Sequence, residues 1–145
     1  MLKGIDPLIG PELLYSLASM GHGDELAIVD RNFPAYSVGE RVHRIDVDAP
    51  SAAAAILSLF PLDSFVDHQL LCMEVIGSGG ARNEVQDDVL AVACDAAGRQ
   101  VSMGGLERFA FYERAKRCFA VVQTTEDRPF GCFILSKGVL PDFTP

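Results

Sequence analysis

Basic residues are scarce in this chain: 12 lysines and arginines stand against 20 aspartates and glutamates, for a formal net charge of −8. A surface of that sign repels phosphate backbones, and its few cations sit among acids, as in Glu113-Arg114-Ala115-Lys116-Arg117, which argues against a nucleic acid partner. Long apolar runs are missing as well. None approaches the ~20 residues needed to cross a bilayer, and Met1-Leu2-Lys3-Gly4-Ile5-Asp6-Pro7 breaks with Asp and Pro before a signal-peptide apolar stretch can form. The expectation is a cytoplasmic protein with no membrane contact.

Site motifs with fixed spacing are lacking too. His22, His43 and His68 are far apart and no carboxylate cluster accompanies them, so no metal site is expected. Cys72, Cys94, Cys118 and Cys132 show no paired spacing and lie in apolar surroundings, which suits reduced, packed thiols. No Gly-rich dinucleotide fingerprint follows a strand-like segment, and no phosphate-cradling loop or Gly-x-Ser-x-Gly elbow is present; Gly77-Ser78-Gly79-Gly80 lacks the context of any of them. Neither a cofactor nor a metal is therefore expected.

What is present is the composition of a soluble globular chain: 145 residues, 49% apolar and 22% charged, enough for one core and too few for two ordinary domains. Helices are predicted over 11–20, 51–60, 83–96 and 109–117, from Pro11 in a first turn, the alanine run after Pro50 and the spacing of Val85, Val89 and Val92. In the first of these the stripe comprises Leu13, Leu14, Leu17 and Ala18. Leu26-Ala27-Ile28-Val29 is apolar without alternation, as in a strand covered on both faces. Further strands are predicted near 41–46, 70–76, 119–124 and 131–135, the last two joined as a hairpin through a polar turn, while 32–37 is taken as loop. With no repeat or linker, residues 1–145 form a single three-layer α/β/α domain around a mostly buried mixed sheet.

Three places could carry chemistry. In Gly21-His22-Gly23-Asp24 the glycines leave the imidazole unshielded, and His suits proton transfer near neutrality. Asp30 closes the most apolar strand, at the edge where open α/β sheets collect ligands, although it could equally form a turn or helix cap. Arg108 and Tyr112, four apart, share one helical face, where Arg108 could fork onto hydroxyls or pair with Glu107 or Glu113.

Several stretches together resemble the L-fucose mutarotase and D-ribose pyranase family, and its mutarotases more closely: Pro7-Leu8-Ile9, Pro11-Glu12-Leu13-Leu14, Met20-Gly21-His22-Gly23-Asp24-Glu25, Asn32-Phe33-Pro34-Ala35, Arg108-Phe109-Ala110-Phe111-Tyr112-Glu113-Arg114-Ala115 and Ser136-Lys137-Gly138-Val139. The resemblance runs in order along essentially the whole chain. It implies a cofactor-free isomerase of the racemase and epimerase class, a mutarotase that exchanges the anomers or the pyranose and furanose forms of a monosaccharide, with His22 as proton donor and Asp30 and Arg108 as sugar contacts. A Tyr-Gly-Asn tripeptide completes the site in those relatives. Here the matching place holds Phe130-Gly131-Cys132, so two polar contacts are missing and the exact sugar is left open, with L-fucose leading.

The same resemblance implies a ring-like homo-oligomer, a decamer among its forms, with sites near subunit interfaces. Spacing points the same way. Eight residues of extended chain separate His22 from Asp30, up to about 26 Å, which one sugar cannot bridge. His22 therefore either folds back along the sheet or meets a site on another copy, with Asp24 or Asp30 as candidate carboxylate partner. The alternative function is a non-catalytic monosaccharide-binding module built on Arg108, Tyr112 and Phe130.

Overall fold

Residues 1–141 are described by a computed structural model. Helix α1 (Pro11–Ser19) leads into strand β1 (Glu25–Val29), the short helix α2 (Ala35–Val38), strand β2 (Val42–Ile45) and helix α3 (Ala49–Leu57). Strand β3 (Leu70–Met73), helix α4 (Glu84–Ala97), strand β4 (Met103–Leu106), helix α5 (Arg108–Lys116), β5 (Ala120–Thr124) and β6 (Phe133–Ser136) follow. The strands form one mixed six-stranded sheet in the order β2-β5-β1-β6-β3-β4, in which β6 alone runs antiparallel to its neighbours.

The absence of alternation in β1 has its reason here: both faces are covered. Leu26 and Ile28 join a core with α1, α3 and α4, while Ala27 and Val29 point to a second core with Phe111 and Ala115 of α5. β6 repeats the division, with Phe133 and Leu135 on the first side and Ile134 on the second. The expected three-layer α/β/α arrangement is the one observed. Within α1, Leu13 and Leu17 are buried but Ala18 is exposed, so the buried stripe is narrower than predicted.

Three expectations need correction. The last two strands are not a hairpin, because β1 lies between them, parallel to β5 (Leu26 opposite Ala120) and antiparallel to β6 (Leu26 opposite Leu135). The most apolar strand thus gains a partner on each side, and the polar turn after β5 crosses its end. Residues 32–37, taken as loop, contribute to α2, which follows Pro34. β4 escaped prediction because Met103-Gly104-Gly105-Leu106 carries little strand signal. Pairing with β3 makes it a strand, and its glycines admit neighbours: a Cβ on Gly104 would lie 2.5 Å from His68 Cδ2, and one on Gly105 2.6 Å from Glu74 Cγ.

Caps also shift boundaries. Asp48 accepts from Ser51 N at 2.9 Å, so α3 begins at Ala49 and ends at Leu57, ahead of the predicted 51–60. α4 starts with a reciprocal Asn83–Gln86 capping box and stops at the left-handed Gly98. Among the described residues no helix is long and apolar enough to cross a membrane.

One packed histidine makes stability pH-dependent. His43 on β2 lies 2.7 Å through Nε2 from the hydroxyl of Ser16, a buried residue of α1. Burial lowers its pKa, with the Glu12 carboxylate opposing in part, so the folded chain takes up this proton less readily than an unfolded one, whose value is 6.5. The His43 contribution is therefore complete above the unfolded value and declines as pH falls through the lower folded value. Urea unfolding at about pH 7.5 and about pH 5.5 should show a lower midpoint in acid, with a smaller difference in His43→Gln.

Candidate functional site

Five of the strands end their carboxyl termini at one edge of the sheet, and β6 enters from that edge between β1 and β3. Such an edge is where α/β sheets open crevices. A cavity of about 280 Å³ lies there, lined by Asp30, Phe33, Met73, Arg108, Tyr112, Phe130 and Cys132 among others. Five of the predicted sugar-contact residues thus meet in one cavity, though they are spread over a hundred positions of sequence. Gly131 sits directly behind: a Cβ there would lie 2.9 Å from Glu126 Cγ and 3.7 Å from Asp30 Cβ.

Asp30 serves the backbone as well as the cavity. Its Oδ1 accepts from Asn32 N and Phe33 N, both at 3.0 Å, which turns the chain away from β1 and seats the Phe33 ring. Phe33 meets Phe111 and Tyr112 edge-on, with centroids 5.8 and 5.2 Å apart. Tyr112 in turn accepts from Arg108 Nε at 3.2 Å. Neither proposed ion pair of Arg108 forms: Glu107 caps α5 through Phe109 N and Ala110 N, Glu113 pairs with Lys116, and among the described residues no carboxylate lies within 4 Å of Arg108. Arg108 lines the cavity with its guanidinium carbon 5.4 Å from the Phe109 and Tyr112 ring centroids, and its charge is left for a ligand.

The turn carrying Phe130 and Cys132 is held from α4. Arg128 joins the buried Glu126 to Asp88 at 2.7 and 2.8 Å, and Asn83 Nδ2 donates to Pro129 O at 2.9 Å. Gln86, itself buried, donates to Met73 O at 2.8 Å and Phe130 O at 3.1 Å. These bonds hold Phe130 at a φ of 59°, a left-handed conformation that costs a residue with a side chain about 1–2 kcal/mol. Sequence reasoning missed Gln86. The Asn83-x-x-Gln86 spacing signals a capping box, but nothing in it says that the amide would reach two cavity walls.

No cysteine is disulfide-bonded, and burial makes three poor nucleophiles. It pushes the thiol of Cys72 up to about 11 and that of Cys118 to about 12, and raises Cys132 well above its usual value, with the Asp30 charge adding to the effect.

His22 lies elsewhere. It precedes β1 while Asp30 follows it, so five residues of strand, about 17 Å, separate the two ends. The loop does not fold back. Asp24 Oδ2 accepts from Gly21 N at 2.7 Å, Gly23 takes a φ of +86°, and Gly23 N donates to Lys137 O at 2.8 Å. Both candidate carboxylate partners are thus committed to backbone, Asp24 at Gly21 and Asp30 beyond the far end of the strand. The actual partner is Asp63, whose Oδ1 is 3.0 Å from His22 Nε2. The Phe65 ring lies 5.4 Å from the imidazole. Asp63 is 41 residues away in the chain, and no periodic or motif signal marks it.

Known proteins match this arrangement along its length. A family model described as the RbsD / FucU transport protein family covers residues 3–140. The chain belongs to the RbsD/FucU family. Within it, the L-fucose mutarotase of Haemophilus influenzae (strain 86-028NP) is 42% identical over 142 residues, covering 97% of this chain and 99% of that protein. FucU from Bifidobacterium longum is 40% identical, with a TM-score of 0.88 over 95% of this chain and 99% of its own. The fucose mutarotase of Streptococcus pneumoniae, solved in complex with L-fucose, is 36% identical, with a TM-score of 0.87 over 96% and 99%. As an RbsD/FucU member the chain keeps the mixed α/β fold of these structures.

Proposed function

We propose that this protein is a sugar mutarotase that interconverts the anomers of a monosaccharide, with L-fucose the leading substrate, by general acid/base opening and closing of the ring. The observation that carries this reading is the full-length identity with L-fucose mutarotases, 40–42%. The convergence of Asp30, Arg108 and Tyr112 on one cavity supports it. The reaction delivers a proton to the ring oxygen as its bond to the anomeric carbon breaks, and removes one from the anomeric hydroxyl. Reclosure on the other face of the carbonyl returns both protons.

Roles follow from chemistry. Asp30 accepts from sugar hydroxyls, Arg108 donates to them and Tyr112 flanks them. Phe130 and Cys132 offer apolar walls, with Gly131 leaving room for the turn, so the cavity favours a sugar that presents carbon and hydrogen on that side. Positioned proton transfer by His22 contributes ~10²- to 10⁴-fold.

One chain holds the proton-transfer group and the cavity at opposite ends of β1, so a working site takes His22 from a second copy. The surface supports this assembly. Val66, three residues beyond Asp63, is exposed at the His22 end, and Ile76 and Phe109 are exposed at the cavity end. An apolar patch at one end meeting a different patch at the other makes a head-to-tail contact, and such contacts form a ring where the rotation between neighbours closes. In this reading the protein works as a cytoplasmic ring-like homo-oligomer.

Magnetisation-transfer NMR on L-fucose tests the activity. Exchange between the two anomers should rise in proportion to protein concentration. Sugar-induced stabilisation in calorimetry with exchange left at the uncatalysed rate would replace the enzyme by a sugar-binding module, a reading that the apolar Phe130 and Cys132 favour.

A further inference from the structure

We infer that Asp63 is the positioning residue for His22, and that it holds the ring so that Nδ1, not Nε2, faces the sugar. Asp63 is only 3% exposed, and a buried carboxylate is costly unless a cation or hydrogen-bond donors compensate it. Among the described residues its only ionic partner within 4 Å is His22; the same Oδ1 accepts from Phe65 N at 3.0 Å. Arg99, the nearby cation, is spent on Leu62 O and Ser64 Oγ, the residues on either side.

Both members of the pair are tied to one short segment at the end of β6. Asp63 N donates to Ser136 O at 3.0 Å and Gly138 N to Pro61 O at 2.7 Å. On the other side, Gly23 N donates to Lys137 O, and Lys137 N donates to Asp24 O at 2.9 Å. Gly138 allows the close approach, since a Cβ there would lie 2.6 Å from Leu62 O. The carboxylate and the imidazole therefore cannot drift apart independently, and the Phe65 ring limits rotation of the imidazole.

The choice of nitrogen follows from donor arithmetic. An ionised carboxylate only accepts, so Nε2 carries the hydrogen and, in the neutral ring, the lone pair is on Nδ1. The His22 side chain is 46% exposed against 4% for that of Asp63, which leaves the ring's other edge open to a ligand. When the ring is charged, the Nδ1 proton passes to the sugar ring oxygen as the C–O bond breaks, and the anomeric hydroxyl proton passes to water. Reclosure reverses both transfers.

This inference rests on the reading that His22 moves the proton, and its test separates the two. In ¹⁵N NMR of histidine-labelled protein at about pH 8, His22 should carry hydrogen on Nε2 and a bare Nδ1. Asp63→Asn keeps an oxygen acceptor for His22 and Phe65 and should retain most of that signature. Asp63→Leu should mix the tautomers and lower kcat by about 10- to 100-fold with KM unchanged, because an orienting partner is lost while the sugar contacts remain. A wild-type spectrum with hydrogen on Nδ1 overturns the inference, as does a folded Asp63→Leu protein with unchanged kcat or with its loss in KM alone. Should Asp63→Leu fail to fold, Asp63→Ala carries the same two measurements, and an unchanged spectrum together with an unchanged kcat overturns the inference. The spectra do not depend on turnover, so a failure of the mutarotase reading would appear separately, as undiminished exchange in His22→Gln.

Discussion

His22→Gln is expected to return anomer exchange to the uncatalysed rate, a loss of ~10²- to 10⁴-fold, while thermal unfolding and sugar binding stay close to wild type. The large kinetic effect and the small structural one share an origin. The side chain is nearly half exposed, its loop is closed by bonds from Asp24 and Lys137 that do not involve the imidazole, and it touches none of the residues lining the cavity. Glutamine can still reach Asp63 with an N–H but cannot cycle a proton at neutral pH. Exchange NMR with protein in the micromolar range measures the loss, and exchange that persists would remove His22 from the mechanism.

The second large effect is a gain. His22→Gln and Asp30→Asn chains should each be inactive alone, the first for want of a proton carrier and the second through a weakened cavity. Refolded or expressed together, they should recover about one quarter of wild-type activity, because random mixing at a head-to-tail interface pairs an intact His22 with an intact Asp30 at about one site in four. A site confined to one chain gives no recovery. Asp30→Asn keeps an oxygen for Asn32 N and Phe33 N, so the turn that seats Phe33 should survive the change. Co-purification of the untagged variant through an affinity tag on the other verifies that hybrid assemblies form.

The parts of this molecule readable in its sequence are those in which local pattern and tertiary surroundings agree. Leu26–Val29 is apolar on both sides because both sides are covered, and Pro11 and Gly98 mark helix ends through backbone chemistry that needs no partner. The glycines around His22 exposed a reactive side chain, and Asp30 closed a strand. Where tertiary contact decides, the pattern was silent. β4 is a strand only because β3 holds it, and β5 and β6 look like a hairpin until β1 is placed between them. That Asp30, Arg108 and Phe130 share a cavity came from likeness to relatives, since spacing carries no information about pairs a hundred residues apart. Asp63 had neither source. It lies in a loop without periodicity, and only its burial beside the imidazole gives it meaning.

β1 and β6 lie side by side in opposite directions, and each carries a piece of both ends. β1 has the His22 loop behind it and Asp30 ahead, while β6 begins after Cys132 and finishes at the segment that grips that loop. The pair acts as a ruler of fixed length. Adding or deleting one residue in either strand would reverse every side chain beyond it and break the pairing of the two strands with each other. Length is therefore fixed in the strands, and insertions that leave the register intact are confined to the turns at the two tips, one carrying His22 and the other Phe130 and Cys132.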